Sequence, residues 1–332
     1  MSRFRKAWTS DLAKNTPSID LLKGLLILLV MGGHVMEITH VSNPAFWIGS
    51  GFRMPLMVGI SGYLLNVART REDAPGTLLF RYGRRMLLPW AVATSIYVTV
   101  SHVPLSWTAP VDLFLRPVFH LWYIPALFCF ILSTRLLPFS PLTLLALSAP
   151  VSLAAMYGFG LGHAAVGQGL FAPDSRFLYY PVYFFFGMWM AARPLSRQHI
   201  WMASIAAGLG LVWWAALYGS GDQLAYVPAR LLMCIGLIAL LRSWTEWRWR
   251  FPAVEAIGRG SLFFYLWHPL VMSLAIFAGC NALTTLALAI LLLAMAHVAT
   301  GRSPLLALLL GARERSSVKA SRQISKLQPA DA

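Results

Sequence analysis

Residues 18–37 read Ser18-Ile19-Asp20-Leu21-Leu22-Lys23-Gly24-Leu25-Leu26-Ile27-Leu28-Leu29-Val30-Met31-Gly32-Gly33-His34-Val35-Met36-Glu37, an apolar run interrupted by four ionisable side chains. About 20 such residues cross the roughly 30 Å of a bilayer's hydrocarbon as a helix. Lipid leaves backbone groups no partners outside a helix or a closed barrel, and the run is too continuously apolar for a barrel strand. Eleven steps of about 100° return His34 to within roughly 20° of Lys23, about 16 Å further along the axis. Asp20 reaches Lys23, and Glu37 reaches His34, as i,i+3 pairs. Ionisable groups inside a membrane are costly and face a bundle interior or an aqueous cavity. The stripe therefore predicts a cavity lined by the first helix. On the plainer alternative, Asp20 and Lys23 are interfacial anchors and His34 is a hydrogen-bonded core histidine.

Outward from this helix the pattern repeats. Of the 332 residues 58% are hydrophobic and only 12% charged, so lipid is the expected solvent for nearly the whole chain. Hydropathy places ten spans at roughly 19–37, 45–66, 86–103, 118–134, 141–157, 178–192, 199–218, 226–241, 261–279 and 282–299. The fold class expected is an all-α membrane protein, a polytopic bundle of about ten transmembrane helices with both termini cytoplasmic. That orientation puts most of the 27 Lys and Arg residues in cytoplasmic segments, as the positive-inside rule requires. The net charge of +15 is thus topological, and nucleic acid is not an expected partner. Cys129, Cys234 and Cys280 show no paired spacing, which argues against a disulfide framework or a zinc site. The basic start (Arg3, Arg5, Lys6, Lys14) resembles a signal peptide, but Asp20 and Lys23 interrupt the apolar run, so an uncleaved first helix is expected. Three regions follow: a basic cytoplasmic N-terminus (1–17), a membrane domain (18–300) and a basic, Ser-rich cytoplasmic tail (301–332) read as disordered. The Gly-rich connection 158–177 is the longest predicted outer loop, placed to cover an outward-facing cleft.

His34 suits proton transfer, because a neutral imidazole takes a proton from an attacking hydroxyl at physiological pH. Glu37 is placed to fix its tautomer, and Gly32 and Gly33 leave room for a ligand or a neighbouring helix. A second feature is Arg81-Tyr82-Gly83-Arg84-Arg85 before Met86-Leu87-Leu88-Pro89. Arginines bind phosphates bidentately, so the cluster is either a site for a nucleotide-like cofactor or a positive anchor at the headgroups.

These residues resemble the acyltransferase 3 family of membrane acyltransferases. The resemblance lies in Ser18 to His34, with its basic residue, ten spacers and histidine, and in five further stretches in order. They are Arg53-Met54-Pro55-Leu56 leading to Ser61-Gly62-Tyr63-Leu64, the Arg81-to-Pro89 run, His120-Leu121-Trp122-Tyr123-Ile124-Pro125, Phe184-Phe185-Phe186-Gly187, and Ser261 through Tyr265 to Trp267-His268-Pro269. The resemblance implies transfer of an acyl group, most often acetyl from acetyl-CoA, to a hydroxyl of a glycan or lipid-linked oligosaccharide at a bacterial inner membrane. It implies His34 as the catalytic histidine, beside which helix spacing places Glu37 and, a few turns earlier, Asp20 and Lys23. It also implies an Arg-x-x-Arg element, matched by Arg81 and Arg84, as part of the acyl-donor site; because Arg85 directly precedes Met86-Leu87-Leu88-Pro89 the register of that pair is ambiguous, and all three arginines are kept. Tyr63, His120, Trp122, Tyr123, Tyr265 and His268 are candidates for the acceptor site, or else belt and packing aromatics. His40, His102, His163, His199 and His297 are assigned no role. No metal is expected; membrane lipids and other polysaccharide-assembly proteins are the further partners. Lys23 departs from the family's usual arginine, keeping the charge without the planar fork. Gly59-Ile60 replaces bulkier residues, and without a hydrolase-like domain the transfer is expected to be completed by the membrane domain alone or with a separate partner. Two rival readings remain: a transporter or lipid-linked sugar flippase, which needs no acyl-CoA, and a non-catalytic assembly or sensory subunit, in which His34 is replaceable.

Overall fold

The computed structural model describes residues 17–312 except 168, 194, 247 and 248. The basic start, the tail from Arg313 and Arg248 lie outside the described residues. The protein is an all-α membrane protein, and no strand occurs among the described residues beyond a single bridge between Ala165 and Asp174.

Each of the ten predicted runs coincides with helix. They are α1 (Pro17–Ile38), α2 (Pro44–Tyr63), a π-helical turn (Gly83–Leu87) leading into α5 (Leu88–Val100), α7 (Tyr123–Leu136) and α8 (Pro141–Phe159). The others are α9 (Arg176–Tyr179) with α10 (Pro181–Ala191), α11 (Arg197–Ala216), α12 (Gln223–Ala239), α15 (Ser261–Phe277) and α16 (Ala282–Thr300). Shorter helices join them: α3 (Val67–Glu72), α4 (Pro75–Tyr82), α6 (Ala109–Leu115), α13 (Leu241–Thr245), α14 (Pro252–Arg259) and α17 (Pro304–Leu310). Among the described residues, α1, α8, α11 and α16 are each long and apolar enough to cross a membrane alone, and α14 with α15 makes a fifth span if its 88° bend is counted as one crossing. Several of the remaining runs are shortened by proline. Pro181, for instance, separates α9 from α10 because its ring nitrogen carries no hydrogen for the helix ladder.

The four long helices differ in position. Two thirds of the apolar window of α1 is buried, against about a fifth in α8, α11 and α16. The ionisable helix is the centre of the bundle, and the uniformly apolar ones turn Leu147, Leu209, Val212 and Leu291 outward to lipid. Apolar burial drives little association between helices in lipid, so close backbone packing must hold the centre together. A Cβ on Gly258 of α14 would collide with the Asp20 carbonyl of α1. Likewise a Cβ on Gly62 of α2 would strike the Phe184 carbonyl, and one on Gly187 of α10 the Gly59 carbonyl. The Ser61-Gly62-Tyr63 and Phe184-to-Gly187 stretches are thus the two sides of one close crossing. Gly62→Ala is expected to destabilise the protein by about 1–3 kcal/mol, as overpacking does. Gly208→Ala, on the outer face of α11 with open space around it, should be neutral. Thermal midpoints of the two purified variants in mild detergent check this.

Candidate active site

His34 stands in the last third of α1 and opens onto a cavity of about 940 Å³. Its Nδ1 lies 2.8 Å from Glu37 Oε2, and Glu37 Oε1 accepts a 2.8 Å bond from Arg53 Nη2. Donation of Nδ1–H to the carboxylate leaves Nε2 as the basic nitrogen. Glu37 is open to the cavity while Arg53 is buried, its Nη1 turned toward the Leu29 carbonyl. Gly33 leaves the space that the Arg53 guanidinium fills, and a Cβ on it would push that group away. The space beside Gly33 is therefore filled by an arginine from α2, and Phe46 packs beside Gly32.

Two further imidazoles pack around His34, with ring centroids 5.8 Å away for His120 and 5.1 Å for His268. Their placement follows from Pro269. Lacking an N–H, Pro269 frees the Tyr265 carbonyl four residues earlier from the helix ladder, and His120 Nε2 bonds that oxygen at 3.0 Å. At the same kink the Tyr97 hydroxyl donates to the Leu266 carbonyl (3.0 Å) and accepts from the Leu270 N–H (3.1 Å). His268 Nδ1 donates to the Phe264 carbonyl at 2.9 Å. Both imidazoles thus have one nitrogen committed to backbone, while His120 Nδ1 and His268 Nε2 are buried without a hydrogen-bond partner. His120 is presented by a turn before α7 in which Phe119 holds a left-handed backbone (φ 52°), a conformation that costs an aromatic residue free energy.

A second cavity, of about 370 Å³, lies at the N-terminal end of α1 and is lined by Lys23, Arg69, Arg81 and Arg85. Lys23 pairs with the buried Asp20 at 2.9 Å, and Arg81 pairs with Asp73. The wide turn Gly83–Leu87 stands immediately before Pro89, where a proline ring cannot fit the regular ladder; Leu88 N–H bonds the Gly83 carbonyl instead. Arg81 and Arg85 line the cavity and Arg84 does not. Tyr265 lines both cavities, its hydroxyl donating to the His120 carbonyl and accepting from the Tyr123 N–H at 3.3 Å. Tyr265 is thus a wall common to both cavities.

The candidates read from the sequence therefore fall into two sets. His34, Glu37, His120, Trp122 and Tyr265 line the larger cavity, with His268 packed behind His34. Lys23, Arg81, Arg85, Tyr123 and again Tyr265 line the smaller one. Asp20, Tyr63 and Arg84 line neither; Tyr63 is buried in the core. A family model described as an acyltransferase domain matches residues 16–300. The chain belongs to the acyltransferase 3 family. No curated protein and no solved structure matches it. It is a membrane acyltransferase, and in this acyltransferase 3 member Tyr265 lines both cavities. Sequence reasoning gave Arg53 no role in the site, though an arginine inside a span was the available signal. It also passed over Tyr97, His163, Arg176 and Arg230, all of which line the larger cavity. The connection 158–177 contributes Gly160, Leu161, Gly162 and Arg176 to the same wall. Among the described residues no group of three His, Cys, Asp or Glu side chains is placed to hold a metal ion.

Proposed function

We propose that this acyltransferase is a bacterial inner-membrane O-acetyltransferase, moving acetyl from acetyl-CoA to a hydroxyl of a cell-surface or lipid-linked glycan. In this reading the chain crosses the membrane ten times with both termini cytoplasmic, and it works beside other polysaccharide-assembly proteins. The observation that carries the reading is the His34 imidazole, oriented by Glu37 and open to a large cavity that shares Tyr265 with a basic one. Acetyl-CoA enters the smaller cavity from the cytoplasm, its phosphates against Arg81, Arg85 and Lys23. Its thioester passes Tyr265 toward His34. The acceptor hydroxyl gives its proton to His34 Nε2 as its oxygen attacks the thioester carbonyl. The tetrahedral intermediate then collapses with cleavage of the carbon–sulfur bond, and the imidazolium returns the proton to the departing thiolate. An ester and free CoA result.

The test is a reconstituted assay with acetyl-labelled acetyl-CoA and glycan from the producing strain. Alkali-labile label on the glycan is the expected result, and glycan movement without any consumption of acetyl-CoA would overturn the reading. The two arginine positions can be separated in the same assay. Arg81→Gln with Arg85→Gln is expected to raise the KM for acetyl-CoA about tenfold or more, since each charge-assisted hydrogen bond contributes about 1.5–3 kcal/mol. Arg84→Gln should change it less than about threefold. Equal effects at Arg84 and at the pair would reduce the cluster to a headgroup anchor.

A further inference from the structure

Arg230 lies on α12 at the wall of the larger cavity and is 4% exposed. Its position again follows from a proline. Pro55 frees the Gly51 carbonyl from the ladder of α2, and Arg230 Nε donates to that oxygen at 2.9 Å. Nη2 donates to the Tyr180 hydroxyl at 3.1 Å, and the guanidinium carbon lies 6.0 and 5.7 Å from the ring centres of Tyr179 and Tyr180. A guanidinium has five N–H donors, so these two bonds leave most of its capacity unused.

The charges of this cavity balance except at this point. Arg53 is neutralised by Glu37, and Arg176 by Asp174 in a two-point contact of 2.6 and 2.8 Å. Among the described residues no carboxylate pairs with Arg230. A buried cation without a counter-ion is expensive, and the faces of two tyrosines offset only part of that cost. Nearby the cavity wall is aromatic. Trp47 and Trp214 stack 4.4 Å apart with their rings 2° from parallel, and each indole N–H is tied to the other residue's carbonyl at 2.9 Å. With its donors tied up, this pair adds only apolar atoms to the cavity wall beside Arg230.

We infer that Arg230 is the anion-binding element of the acceptor subsite: the saccharide that enters this cavity carries an oxyanion that completes the guanidinium's hydrogen bonds. This rests on the proposal that the acceptor is a glycan. The oxyanion is either a carboxylate on the sugar or the phosphoester that joins a sugar to its carrier. Both present paired oxygens that match the arginine fork.

The test is direct binding to the full chain in nanodiscs of phosphatidylcholine, by ligand-observed NMR, with three probes: methyl glucuronide, glucose 1-phosphate and methyl glucoside. At least one anionic probe should bind about tenfold or more tightly than the glucoside, the ratio given by one charge-assisted hydrogen bond. Whichever anion wins identifies the source. Arg230→Gln should bring the anions down to the level of the glucoside, and Arg230→Lys should keep part of the preference. Wild-type protein that binds neither anion more tightly than the glucoside overturns the inference, as does an unchanged preference in Arg230→Gln. Should Arg230→Gln fail to fold, the wild-type comparison still decides. Acetyl-CoA turnover is measured separately, so a chain that transfers acetyl without anion preference loses this subsite and keeps its function.

Discussion

His34→Ala is expected to lower acyl transfer by about 10³-fold or more while the protein stays folded in the membrane. A positioned general base contributes about 10²–10⁴-fold, and here the same imidazole also returns the proton to the leaving thiolate. Structural cost should be small. The side chain is 23% exposed, faces a cavity, and makes one polar contact, with Glu37. His34→Gln sharpens the result, because the amide can still donate to Glu37 but cannot accept a proton at the acceptor's oxygen. It should be as inactive as the alanine variant. His120→Gln should lose less, since His120 Nε2 is committed to the Tyr265 carbonyl and takes no proton in the proposed transfer. The measurement is the single-turnover rate with labelled acetyl-CoA, beside thermal midpoints in detergent. A His34→Gln protein within tenfold of wild type would sink the proposed mechanism.

What the sequence made legible was local. Both i,i+3 pairs expected on α1 are present, Asp20 with Lys23 at 2.9 Å and Glu37 with His34 at 2.8 Å, because helix geometry alone brings them together. The cavity expected from the cost of buried charge is also present, but as two cavities rather than one. The spacing of about 16 Å along the axis, read as a shared face, is also what allows one helix to serve both. Contacts across helices were not legible. Nothing in the spacing of residues 34 and 53 fixes the crossing that seats Arg53 beside Gly33. The gathering of His34, His120 and His268 depends on a carbonyl freed by Pro269 and taken by His120, a consequence visible only once α15 and the turn before α7 are side by side. The arginine register was ambiguous for a comparable reason. A π-helical turn shifts the face that Gly83–Leu87 presents, and the periodicity of a regular helix does not anticipate it. Single prolines thus mark the places where sequence periodicity stops describing the site and tertiary partners take over.

The second large effect is expected at Arg53, through Glu37. Loss of the group that orients a catalytic imidazole costs about 10²–10⁴ in kcat, so Glu37→Gln should lower the rate by at least about 10²-fold. Glu37 is open to the cavity, and among the described residues its second oxygen is held by Arg53 alone. Without that contact the carboxylate has other rotamers to visit, and Arg53→Met should lower kcat by about 10–10²-fold. Gly33→Ala should reproduce the Arg53 effect without touching any charge, because its methyl group occupies the space of the guanidinium. All three changes lie at the larger cavity, so the KM for acetyl-CoA should stay within about threefold of wild type. Residues acting through one relay are not additive. The double variant Glu37→Gln with Arg53→Met is therefore expected to lose little more than Glu37→Gln alone. Multiplicative losses in that double variant, or full kcat in Gly33→Ala, would show that Arg53 serves the packing of α1 on α2 and leaves the imidazole's orientation to Glu37 unaided.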